Sequence, residues 1–248
     1  RGGGARDQSD LLELTDEWLA EDADRERASY LMGRTPILML EHGQRPTAST
    51  ADALAALIAG NVEHPARELL WGSPGTMLAA LFLHRRTGDE RWAALFRQTA
   101  ALLAGQLLWS DEWGCHYWTQ DLYGRCSTYI DAVHGFVATA AVLIAGRHLL
   151  PDWPQWQQRI ARTVAATAIR EDGCASWPPM LDAPAGSTDK KLMQYCHGAP
   201  GFVVCLGDFP GAELDALLLE AGEATWRAGP LVKGSNLCHG TAGNGYAF

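Results

Sequence analysis

Two kinds of apolar pattern alternate along the chain. In the first, hydrophobic residues recur at i, i+3, i+4 and i+7, as in "DERWAALFRQTAALLAGQLL", "WPQWQQRIARTVAATAI" and "GAELDALLLEAGEATWRAG". That period predicts amphipathic helices with one buried and one wet face. In the second, a polar or aromatic approach leads to a Gly, two or three small residues and an apolar run. Five segments share this layout: "YLMGRTPILML", "LLWGSPGTMLAALFLH", "AVHGFVATAAVLIAG", "YCHGAPGFVVCLG" and "LCHGTAGNGYAF". Their anchoring glycines are Gly33, Gly72, Gly135, Gly198 and Gly240, at spacings of 39, 63, 63 and 42 residues. Gly followed by small residues predicts a closely packed helix start with open N–H groups at its mouth. Helix pairs repeated in this way stack into an open solenoid or a closed ring. Period-2 alternation is missing, and "GCHYWT" and "STYIDAV" are at best short local strands. The expected fold class is all-α, an α/α toroid of inner and outer helices forming one domain over residues 1–248.

Composition narrows the function classes. The 248 residues are 47% hydrophobic with ten Trp, which places the chain among globular proteins with a large core. The net charge is −9 and no basic run exceeds Lys190-Lys191, so nucleic acid and anionic membrane are poor partners. The longest apolar run, "GFVATAAVLIAG", is too short to span a bilayer, and no stretch resembles a signal peptide. Six cysteines scattered through an Ala- and Leu-rich chain suggest reduced thiols and a cytoplasmic location. The chain begins at Arg1 and ends on Phe248 inside an apolar pattern, so both ends read as truncated.

Candidate chemistry lies in the Cys-His-Gly sequence, which occurs twice. Cys196, Cys238 and His239 form a plausible three-ligand set for zinc, leaving a fourth position for water or substrate. This is no CxxC…CxxC knuckle, and Cys is often plain core filler. Cys205, inside an apolar helical run, reads as core; Cys115, Cys126 and Cys174 lack a matching partner. His42, His64, His84, His116 and His148 read as ordinary surface or core groups, and His197 as either a helper of the adjacent ligand or a helix cap. The residues before four of the glycines, Trp71, His134, His197 and His239, would share one end of the inner helices and line one mouth of the ring.

"YCHGAPGF", "KGSNLCHGTAGNGYAF", "ELLWGSPGTMLAALFL" and "AVHGFVATAAV", with the lead-in "EDGCASWPPMLD", resemble successive signatures of the lanthionine synthetase C-like family. The likeness runs from about Tyr30 to Phe248 and is nearer the stand-alone eukaryotic-type members than the lantibiotic cyclases. It implies a toroid of seven helix pairs with zinc at one mouth; five inner-helix motifs are present here, and the first and last are missing. It further implies zinc ligands Cys196, Cys238 and His239, and a catalytic His134. Glu68 stands where cyclases carry a catalytic Asp, and Lys233 matches a lysine connected with glutathione. Cyclases place an Arg shortly before the first cysteine; here the text reads "KKLMQYC", leaving open whether Lys191 or Lys233 takes that role.

The implied chemistry is Michael addition of a thiol to dehydroalanine or dehydrobutyrine. The partners are then glutathione or a peptide Cys and a dehydroamino-acid-containing peptide or protein. A free thiol has a pKa of about 8.5, so a thiolate at neutral pH calls for a cation. Two protein thiolates neutralise Zn2+, so a third stays electron-rich. The resulting enolate needs an acid titrating near neutrality, which suits His134. Lys233 would stabilise the enolate or hold a substrate carboxylate, or be a surface charge. Glu68 would take the thiol proton or orient His134, or be a helix N-terminal carboxylate. The alternative is a non-catalytic glutathione- or protein-binding module. Prenyl transfer lacks a basic diphosphate pocket here, and glycoside hydrolysis lacks a carboxylate partner for Glu68.

Overall fold

The computed structural model describes residues 28–31, 33–182 and 192–248, together with Glu13, Leu14 and Glu17. From Thr35 onward its helices alternate between two environments. The inner ones are α1 (Thr35–Gln44), α3 (Ser73–Thr87), α5 (Phe136–Ala145), α7 (Ala199–Leu206) and α9 (Thr241–Gly245). The outer ones are α2 (Ala48–Gly60), α4 (Glu90–Gly105), α6 (Trp153–Ala166) and α8 (Asp215–Ala228). Each inner helix touches the next inner one, α1 to α3 to α5 to α7 to α9, which makes the arc of an all-α toroid.

The outer helices follow the sequence period. In α4 the buried residues are Trp92, Ala93, Phe96, Thr99, Ala100 and Leu103, one stripe facing inward. In α6 the stripe is Trp156, Ile160, Thr163 and Val164. Each large side chain so buried contributes about 1.5–3 kcal/mol. The inner helices in the middle of the arc are enclosed nearly all round: α5 buries eight of its ten residues and α7 six of its eight.

The Gly-and-small signature has a steric cause. The loop entering each inner helix folds back over the first helical turn. A Cβ on Gly135 would lie 2.0 Å from the backbone N of Asp131, and one on Gly201 would lie 2.0 Å from the carbonyl of Tyr195. The loop can make that return only where a side chain is missing.

Among the described residues, three two-stranded antiparallel hairpins lie in the connections from α4 to α5 and from α6 to α7. β1 (Leu108–Ser110) pairs with β2 (Cys115–Tyr117), and β3 (Gln120–Leu122) pairs with β4 (Arg125–Ser127). β5 (Ile169–Glu171) pairs with β6 (Cys174–Ser176). "GCHYWT" thus supplies β2, whereas "STYIDAV" contributes the last residue of β4, Ser127, and the bridge Tyr129–Met180. β2 packs on α6 and β6 on α8, so the β1–β2 and β5–β6 hairpins brace the following outer helices. Thr163 Oγ1 accepts from the His116 N–H (3.2 Å) and donates to the His116 carbonyl (2.9 Å). No helix among the described residues is long and apolar enough to cross a membrane.

Candidate metal centre and its histidine–carboxylate neighbour

The loops entering α7 and α9 meet at Cys196. Gln194 and His197 exchange backbone hydrogen bonds (3.2 and 3.1 Å), closing a tight turn that presents Cys196. The Cys196 N–H donates to the Cys238 carbonyl at 3.0 Å, which brings in the next repeat. Asn236 Oδ1 accepts the His239 N–H at 2.9 Å and shapes the second turn. One ligand atom each from Cys196, Cys238 and His239 then lies within 4.8 Å of the other two. Cys196 is 6% exposed, whereas Cys238 and His239 are open to solvent.

This donor set fits zinc. Tetrahedral Zn–S bonds of about 2.3 Å and Zn–N bonds of about 2.0–2.1 Å put ligands somewhat under 4 Å apart, a contraction of about an ångström from the observed spread. Burial, then the charge and hydrogen bond of Cys238, then the charge of Asp131 push the Cys196 thiol up to about 12, against a hydrogen bond from Gln194 that lowers it. A divalent cation reverses that preference and holds the thiolate outright. Cys205 lies in the core behind this corner, and burial pushes its thiol up to about 12. Its expected role as core is the observed one.

A second constellation joins the α3 and α5 loops. Glu68 is fully buried; its carboxylate accepts the Leu70 N–H (2.9 Å) and the Trp71 N–H, and lies 2.9 Å from His134 Nδ1. It is therefore a turn-shaping group and an orienter of His134 together. Burial alone would lower the His134 pKa, but the Glu68 hydrogen bond and charge, with the charge of Asp131, raise it above 6.5.

Three residues not singled out from sequence complete the region. Asp131 is fully buried; its Oδ1 accepts from Val133 (2.9 Å), His134 (2.8 Å) and Gly135 (3.1 Å). Its Oδ2 lies 2.8 Å from His197 Nδ1, a contact off the line of a good hydrogen bond. Tyr129 connects the constellations, with its ring 5.6 Å from His134 and stacked 6.4 Å from His197. Gln194 Nε2 donates to Cys196 Sγ at 3.2 Å, and Lys233 Nζ donates to Gln194 Oε1 at 3.0 Å. Lys233 is thus bound to the metal corner through an amide; Lys191 lies outside the described residues. The signal for the missed groups was positional. Glu68, Asp131, Gln194 and Asn236 each stand four residues before a motif glycine, and Glu68, Asp131 and Gln194 are contacted by a side chain from the following repeat.

The family model described as "Lanthionine synthetase C-like protein" matches residues 45–248. The chain is 28% identical over 195 residues to "Glutathione S-transferase LANCL1" of Danio rerio, an alignment spanning 73% of this chain and 45% of that protein. It is 31% identical over 191 residues to "LanC-like protein GCL1" of Arabidopsis thaliana, spanning 73% and 41% respectively. The chain therefore spans less than half the length of these relatives.

Proposed function

The chain belongs to the lanthionine synthetase C-like family, and from that membership we propose zinc-dependent addition of a thiol, glutathione or a peptide Cys, to dehydroalanine or dehydrobutyrine residues. The observation that carries this reading is the convergence of two thiols and an imidazole from consecutive repeats, with His197, next to Cys196, linked through the Tyr129 ring to a half-buried histidine held by a buried carboxylate. The name of the zebrafish relative points to glutathione as the thiol.

Cys196, Cys238 and His239 would hold Zn2+, which when bound supplies a fourth position that keeps an incoming sulfur deprotonated. The thiol loses its proton, and the sulfur forms a bond to the β-carbon while the alkene π electrons move onto the adjacent carbonyl. His134, fixed through Nδ1 by Glu68, presents its other nitrogen as the acid that protonates the α-carbon. The proton released by the thiol restores it, so the sum is thiol plus alkene giving thioether. Glu68 stays buried beside the ring and keeps it oriented. Gln194 contacts the Cys196 sulfur, and Lys233 contacts Gln194. Reduced thiols, as in the cytoplasm, are required, and the six cysteines are free.

The test is incubation of purified protein with zinc, glutathione and a dehydroalanine peptide, followed by mass spectrometry. The expected result is an adduct heavier by one glutathione, absent in Cys238→Ala and about 10²- to 10⁴-fold slower to form in His134→Ala. An adduct no more abundant than with zinc alone contradicts catalysis; glutathione binding without adduct returns the site to a binding module.

A further inference from the structure

The hydrogen bonds around Cys196 make the two protein sulfurs unequal. Cys196 is nearly enclosed and its Sγ accepts the Gln194 side-chain amide; Cys238 is exposed. We propose that Gln194, oriented by Lys233, is a positioning residue of the metal centre, whose amide donates to the Cys196 sulfur and makes it the least nucleophilic sulfur there. The inference rests on the zinc reading above and adds what decides which sulfur reacts.

Three observations support it. The first is placement: Gln194 is 6% exposed, and both its backbone groups are committed to the turn with His197. Its Cα therefore has little freedom, and the side chain reaches the sulfur from a fixed base. The second is the direction of the amide. A lysine ammonium has three donors and no acceptor, so the atom facing Lys233 Nζ at 3.0 Å must be the carbonyl oxygen. That fixes the NH2 toward Cys196 Sγ and removes the usual ambiguity of an amide flip. The third is anchoring of the lysine. Its neighbour Gly234 accepts from the Thr241 N–H at 2.9 Å, and Thr241 Oγ1 accepts the Leu231 N–H at 2.9 Å. The Lys233 loop is thereby tied to the start of α9, two residues from His239. Cation, amide and sulfur form one chain that crosses the same boundary between repeats as the metal ligands.

The chemical consequence follows from where charge goes. A hydrogen bond to a thiolate stabilises the deprotonated sulfur and fixes its position for a metal, and by withdrawing density it makes the sulfur attack carbon less readily. A site with two protein thiolates and one substrate thiolate needs that distinction, because otherwise a protein sulfur competes for the acceptor. Polarisation of the amide by the ammonium strengthens its N–H donor in the same direction.

Cobalt(II) serves as the probe, since its sulfur-to-metal absorption band reports the density on the sulfurs directly. Wild-type protein loaded with cobalt is compared with Gln194→Met, Gln194→Glu and Lys233→Met, and circular dichroism confirms that each variant is folded. Gln194→Met keeps the volume and removes the donor; Gln194→Glu keeps the contact with Lys233 but offers no N–H to sulfur. Both are expected to move the band to longer wavelength and to weaken cobalt affinity roughly 10- to 100-fold, the range for groups that orient metal ligands. Lys233→Met moves the band the same way by less. A normal wild-type band that stays put in all three variants overturns the inference and leaves the zinc reading standing. A wild type without any thiolate band overturns both. A band moved by the Gln194 variants and untouched in Lys233→Met overturns the part given to the lysine.

Discussion

Single side chains at this site do two jobs at once, and Glu68 is the clearest case. Its carboxylate accepts two backbone N–H groups and holds His134, so removing it costs structure and chemistry together. Glu68→Ala is expected to destabilise the protein by about 1–3 kcal/mol for each buried donor left unpaired, seen as a lower urea midpoint. Glu68→Gln is milder, and its effect is electrostatic. The His134 pKa, raised by Glu68 in the folded protein, should fall, as a proton NMR titration of the ring would show. The sign for stability follows. A folded-state pKa above 6.5 means that the native state binds the extra proton, so this contribution is complete below pH 6.5. It is lost as pH rises from there through the folded pKa; urea midpoints in that window should decline for wild type and flatten in Glu68→Gln. His134 itself was legible from its place before a motif glycine. Asp131 and Gln194 were not, because their shared offset of four residues before a motif glycine acquires a meaning only once the return of the loop is known.

At the level of elements, the outer helices were legible because burial on one face imposes a period. The stripe Trp92, Phe96, Leu103 is what "RWAALFRQTAALL" spells. The hairpins were harder, since strands of three residues are too short for alternation to register. Their turns held the better signal. In "REDGC" Asp172 and Gly173 both have positive φ (51° and 72°), and in "LYGRC" Tyr123 and Gly124 do the same (53° and 73°), the conformation of a two-residue hairpin turn. Asp-Gly is a familiar choice there; Tyr-Gly is not, and it escaped notice. The glycine motifs were visible as a repeat, and their cause, loop backbone lying on the first helical turn, emerges only in three dimensions. Gly201→Ala tests that cause. Its Cβ would meet the Tyr195 carbonyl at 2.0 Å, and the loop that must yield carries Cys196. The substitution should lower the thermal midpoint by the equivalent of roughly 1–3 kcal/mol and weaken metal affinity with it. A control, Gly222→Ala in α8, where nothing lies within 4 Å, should leave metal affinity unchanged and raise the thermal midpoint slightly, by the equivalent of about 0.5–1 kcal/mol of helix propensity.

Across the whole molecule, the ring is stitched at one mouth by contacts running from each repeat to the one before. His134 reaches Glu68, His197 reaches Asp131, and Lys233 reaches Gln194. The proposed metal ligands would add a fourth stitch, because Cys196 belongs to the α7 repeat and Cys238 and His239 to the α9 repeat. A ligand bound only by the folded state stabilises it by about 4 kcal/mol at a thousand times its Kd. Chelator treatment should therefore lower the thermal midpoint of wild type by several degrees and leave Cys238→Ala where it was. The all-α ring was readable from five repeated motifs; the order of the stitches was not, since each joins residues about forty to seventy positions apart. The most direct test of the account is zinc K-edge X-ray absorption on the purified protein. One zinc per chain, with two sulfur neighbours at about 2.3 Å and nitrogen or oxygen neighbours at about 2.0–2.1 Å, is the expected result. Zinc surrounded by nitrogen and oxygen alone, or the same spectrum from Cys196→Ala, would contradict it.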